Sequence, residues 1–105
     1  MMKQISRISN TRESNRVSDA DPVTDLRHAI DAVDDQIVSL LGERNQLTQR
    51  VLAIKFQRGL PLHSLERERQ IVTRVRWLAI QQGMESEFIT RVFKVILRQF
   101  AKPGD

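Results

Sequence analysis

Apolar side chains recur along the first half of the chain at Leu26, Ile30, Val33, Ile37, Leu40, Leu47, Val51 and Ile54. The steps alternate between four and three, apart from one skipped position. That spacing lays side chains along one stripe of a helix and, over several heptads, makes a seam for a second helix. Asp21-Pro22 opens the element: aspartate is a good N-cap, and proline at the first helical position brings its φ already set. Gly59 and Pro61 supply the stop. The spacing predicts a helix from roughly Val23 to Gln57, with Gly42 inside it at a cost of about 1 kcal/mol relative to alanine. Two shorter helices follow. Ser64 is placed to cap the second, with Glu66 in the first turn facing the positive end of the helix dipole. Its apolar positions are Leu65, Ile71, Val72, Val75, Leu78 and Ala79, and Gly83 ends it. Ser86 is placed to cap the third, which carries Phe88, Ile89, Val92, Phe93, Ile96, Leu97 and Phe100 and stops at Pro103-Gly104. No segment alternates as a strand does, so the expected class is all-α, with three helices per chain.

The first helix is too long for one small domain. About 35 residues at 1.5 Å each reach about 50 Å, whereas a compact domain of ~85 residues is nearer 30 Å across. The overhanging stripe calls for a second chain, and a two-fold homodimer is the commonest solution. Residues 1–20 have a different character. They are rich in Ser, Asn and Arg and poor in large apolar side chains, and so are expected to form a disordered tail. Residues 21–105 then form a single helical domain.

Composition narrows the function classes. With no cysteine among 105 residues, neither a disulfide framework nor a thiolate metal site is available. His28 and His63 are isolated, carry no ligand spacing and read as solvated, so no metal is expected. The chain shows no apolar run near the ~20 residues of a membrane span and no secretory leader; a cytoplasmic setting without membrane contact is expected. A formal charge of +4 favours anionic partners. Arg69, Arg74, Arg76, Arg91, Lys94 and Arg98 read most simply as outer-face charges. No recognition motif accompanies them, so nucleic acid is not the expected partner. Trp77 reads as core or interface.

Charges also fall where the stripe calls for apolar residues. Continuing from Leu40 toward Leu47 passes through Arg44, and Lys55 looks out over the same face three turns later. A snorkelling Arg44 or an ion pair with Glu43, or with Glu68 of a neighbour, is a structural reading of the first. A lysine complementing the helix dipole is a structural reading of the second. Taken together, Leu26-Arg27, Ile30-Asp31, Asp34, Ile37-Val38, Leu40-Leu41, Arg44, Leu47, Val51 and Lys55 resemble the long first helix of the all-helical chorismate mutases. After Pro61, Arg67-Glu68 followed by Ile71 resembles that family's Arg-Glu signature. Gly83 and the run Phe88-Ile89, Val92-Phe93, Ile96 resemble its third helix. The match covers about Leu26 to Phe100 without a gap. Each short piece is weak, but the arginine, arginine, lysine, Arg-Glu order at this spacing is specific.

The resemblance implies a chorismate mutase: a pericyclic rearrangement of the dicarboxylate chorismate to prephenate, with no cofactor. It implies that Arg27 and Arg44 grip the two carboxylates and that Lys55 donates to the ether oxygen. Glu68 would accept from the ring hydroxyl, with Arg67 and Ser64 framing that side. Arg27 and Lys55 are 28 positions apart, about 42 Å along one helix. No small substrate spans that distance, so the site must combine Arg27 of one chain with Arg44 and Lys55 of another. Ungapped comparison also shows departures. Gly104 stands where the family usually carries an amide, Phe100 where it often carries a small polar residue, and Ser64 where an acid is common. The missing amide implies reduced turnover, since losing one such donor typically costs about 3–4 kcal/mol. An isochorismate-pyruvate lyase of the same fold, or a non-catalytic binding dimer, is the alternative. Glu68 argues for the mutase, and Phe100 points toward the lyase.

Overall fold

The computed structural model describes residues 21–100. The tail expected over residues 1–20, the Pro103-Gly104 stop and the position of Gly104 lie outside the described residues. Among the described residues the chain is all-helical. α1 is Pro22–Gln57, α2 is Leu65–Gln81 and α3 is Ser86–Phe100, with no strand. The backbone divides into two units, Met1–Leu40 and Leu41–Asp105.

In the first unit α1 starts as its residues dictate. The Asp21 carboxylate accepts from the Val23 amide at 3.1 Å, its carbonyl accepts from the Asp25 amide at 3.2 Å, and Pro22 takes the first helical position. The apolar stripe lies in the open. Leu26, Ile30, Val33, Ile37 and Leu40 are each 50–64% exposed. A row of five half-exposed aliphatic side chains is the opposite of what burial favours, because each forgoes about 1–2 kcal/mol of attainable transfer energy.

The second unit holds the core. α2 packs on α3, burying Ile71, Val75 and Ala79 of α2, which recur every four residues, together with Ile96 of α3 and Leu52 of α1. Both predicted glycine stops are left-handed C-terminal caps. At Gly59 (φ 68°) the Gly59 amide donates to Phe56 O and the Leu60 amide to Lys55 O, at 3.2 and 2.9 Å. At Gly83 (φ 72°) the Gly83 amide donates to Ile80 O and the Met84 amide to Ala79 O, at 3.0 and 2.8 Å. In each case two end carbonyls are satisfied by a turn that a side-chain-free residue enters most easily.

Several side chains depart from their expected places. Arg76 is half-buried rather than a simple outer-face charge. Its Nη1 donates to Glu87 Oε2 and Thr90 Oγ1, both at 3.1 Å, and the buried Thr90 hydroxyl donates onward to Ser86 O at 2.8 Å. This chain of bonds ties α2 to α3. Ser86 is not the cap of α3 but its first helical residue, because the first bond of the helix runs from the Ile89 amide to Glu85 O. Leu65 and Phe88 are exposed rather than core, and exposure of Trp77 excludes the core but not the interface half of its reading. All three lie off the narrow ridge along which two short helices actually meet. Among the described residues no helix is long and apolar enough to cross a membrane.

Candidate active site

The chemistry-bearing residues of the second unit converge on one cleft of about 320 Å³, at the small end of the range for small-molecule sites. α1 contributes Arg44, Leu47, Thr48, Val51, Leu52 and Lys55. The connector and the start of α2 contribute Leu62, His63, Ser64, Arg67, Glu68 and Ile71, and α3 adds Leu97. The 44-48-51-52-55 spacing on α1 is that of one helix face, so the stripe that would otherwise continue as a pure seam carries two cations into the cleft.

The start of α2 is built by Ser64. Its backbone is extended (φ −135°, ψ 108°), its Oγ accepts from the Arg67 amide at 3.1 Å, and its carbonyl accepts from the Glu68 amide at 3.1 Å. The N-cap therefore fixes the backbone that presents Arg67 and Glu68 to the cleft, so Ser64 shapes the site through its hydroxyl without needing to touch a ligand. Arg67 is further steadied by its Nη1, which donates to Gln70 Oε1 at 3.5 Å. Glu68 is half-buried, and its Oε2 lies 3.4 Å from Nε2 of the more exposed His63.

Electrostatically the cleft is short of negative charge. Arg44, Lys55 and Arg67 line it against the single carboxylate of Glu68. The ion pair anticipated between Arg44 and Glu43 is absent among the described residues, and so is any with Glu68 of the same chain. Burial, and then the like charge of Arg67, lower the pKa of Arg44. A half-buried guanidinium facing a second one is a poor way to stabilise a fold and a good way to hold an anion. No group of three or more His, Cys, Asp or Glu that could bind a metal occurs among the described residues.

The structure thus gathers Arg44, Lys55, Ser64, Arg67 and Glu68 into one cleft and leaves Arg27 outside it, on the exposed first unit. Sequence reasoning missed His63, taken for a solvated residue: it is exposed, yet it lines the cleft and touches Glu68. A second cleft of about 570 Å³ shares Glu68 and Leu97 with the first and adds Leu65, Arg69, Val72, Thr73, Lys94 and Arg98. There Arg98 sits in the last turn of α3, where a cation offsets the negative pole of a helix.

Comparison with known proteins shows what the chain as a whole is similar to. The family model described as chorismate mutase type II matches residues 26–102. The chorismate mutase of Methanocaldococcus jannaschii is 32% identical over 75 residues, which is 71% of this chain and 76% of the relative. The bifunctional chorismate mutase/prephenate dehydratase of Escherichia coli K12 is 32% identical over 76 residues, 72% of this chain but only 20% of that protein. The corresponding bifunctional protein of Aquifex aeolicus is 43% identical over 51 residues, 49% of this chain and 14% of its own length.

Proposed function

Because the chain belongs to the chorismate mutase type II family, we propose that its cleft is one half of an active site completed by a second copy of the chain. The reaction is the rearrangement of chorismate to prephenate. Within one molecule an ether C–O bond breaks as a C–C bond forms, so no atom or electron is exchanged with the protein. Catalysis then rests on holding the compact diaxial conformer and on stabilising charge as the ether bond lengthens. The observation that carries this reading is the excess of cations, Arg44, Lys55 and Arg67 against Glu68 alone, in an apolar-walled cleft of small-molecule size.

In this reading Arg44 grips one carboxylate in a two-pronged bond and the second copy's Arg27 grips the other. Lys55 donates to the ether oxygen as negative charge gathers there. Its effect falls on the transition state more than on the bound substrate, which is what raises turnover. Glu68 accepts from the ring hydroxyl, while Ser64 and Arg67 frame that end. The homodimer is supported by the bare stripe of Leu26, Ile30, Val33, Ile37 and Leu40 beside Arg27. A second copy brings the same heptad pattern to cover it. The setting expected for such a dimer is the cytoplasm.

The direct test incubates the purified chain with chorismate and, separately, with isochorismate. Prephenate from the first and no salicylate from the second is the expected result. Chorismate left unchanged by a folded protein contradicts the proposal.

A further inference from the structure

We propose that His63 is a positioning residue, holding the Glu68 carboxylate outward against the pull of the cations in the cleft. The inference rests on the mutase reading, in which Glu68 accepts from the substrate's ring hydroxyl. Glu68 is a long side chain anchored only at its backbone by the Ser64 cap. Across the same cleft stand Arg44, Lys55 and Arg67. In a site emptied of substrate, any of these can draw the carboxylate to itself. The carboxylate would then be lost as an acceptor, and one cation would be neutralised just where the substrate's carboxylates need it. What the structure shows instead is Glu68 Oε2 held at 3.4 Å by His63 Nε2, with no ion pair from Glu68 to the three cations among the described residues.

The placement follows from the backbone. His63 directly precedes Ser64, and the cap bonds Ser64 to the amides of both Arg67 and Glu68. The imidazole and the carboxylate are therefore carried by one rigid turn. Nε2 stands 3.4 Å from one carboxylate oxygen, on the cleft that Glu68 lines. The imidazole is mostly exposed and Glu68 is half-buried, so the contact lies on the solvent side of the cleft lining. A neutral donor suffices. Were the position a permanent cation, it would join the other three in competing for the substrate's anionic groups.

The test is a double-mutant cycle in the full-length chain, read as kcat and KM on chorismate. His63→Leu should lower kcat/KM by about 5- to 10-fold, mainly through KM, as expected for a half-exposed bond to a charged group that bears on substrate and transition state alike. His63→Gln, which keeps an N–H donor at similar reach, should recover most of that loss. In a Glu68→Ala background, His63→Leu should cost nothing further, because its only route of action is gone. Equal losses in both backgrounds, no loss in the first, or failure of the glutamine to rescue would each overturn the inference. A wild-type chain inactive on chorismate would overturn the mutase reading itself, and this inference with it.

Discussion

Arg44 offers the sharpest separation of function from stability. Replacing it by methionine keeps most of the apolar stem and removes the guanidinium. In the folded chain that guanidinium is half-buried, lacks a carboxylate partner among the described residues and faces Arg67; burial first, and Arg67 second, lower its pKa. A cation whose folded-state pKa is depressed binds its proton less tightly folded than unfolded, so carrying the charge opposes folding. Arginine is protonated in both states across the accessible pH range, so this penalty is present at neutral pH and does not vary through it. Solvent screening keeps it small. Arg44→Met should therefore leave the unfolding free energy unchanged or raise it, by no more than about 0.5 kcal/mol. Activity should move the other way. A two-pronged bond to a substrate carboxylate comprises two charge-assisted hydrogen bonds of about 1.5–3 kcal/mol each, so its loss should lower kcat/KM by about 10²- to 10⁴-fold. Urea unfolding followed by circular dichroism at fixed protein concentration, beside kinetics on chorismate, measures both. A variant that keeps wild-type kcat/KM, or that unfolds more than ~1 kcal/mol more readily, would mean that Arg44 holds the fold together rather than the substrate.

Three further outcomes follow from the fold. Ile37→Glu places a charge in the middle of the bare stripe and should shift the chain from dimer toward monomer in sedimentation at micromolar concentration; an unchanged dimer would place the interface elsewhere. Gly59→Ala meets no atom within 4 Å, so its cost is the left-handed backbone alone, about 1–2 kcal/mol in urea unfolding; an unaltered midpoint would contradict the cap. Arg76→Met removes the link from α2 to Glu87 and Thr90 and should cost about 1–2 kcal/mol of stability. Because Arg76 does not line the cleft, kcat/KM should stay within about twofold.

Much of this architecture was legible because the sequence signals are local. The four-and-three spacing from Leu26 to Ile54 predicted α1 to within one residue at its start, since a heptad stripe over that length has no other regular conformation. Gly59 and Gly83 were legible as stops because a left-handed C-terminal residue is most easily glycine. Within the site, Arg44 and Lys55 stood out as charges on an apolar face and took on a role only with the family resemblance, which also picked out Arg67-Glu68 after Pro61. The failures are tertiary. Whether Arg76 points outward or across to Thr90 depends on how α2 is rotated against α3, which periodicity leaves undetermined to within a residue. Leu65 and Phe88 count as apolar positions, yet two short helices touch along a ridge narrower than their apolar faces. Ser86 and Glu85 differ by a single peptide in which one starts the helix, a distinction capping preference resolves poorly. His63 carries no pattern of its own. Its meaning comes from a carboxylate five residues away that only the capped turn brings within reach.

The claim that two chains share each site is tested most directly by mixing two inactive variants. An Arg27→Ala chain and a Lys55→Ala chain, unfolded and refolded together in equal amounts, should form dimers of which about half are mixed, by random pairing of equivalent subunits. Each mixed dimer then contains one intact site, combining Arg27 of one chain with Arg44, Lys55 and Glu68 of the other, and one site lacking both residues. About a quarter of wild-type activity should return from parents that show almost none. Mixed dimers demonstrated by a mass difference between the chains, yet as inactive as either parent, would mean that Arg27 and Lys55 do not meet across the interface.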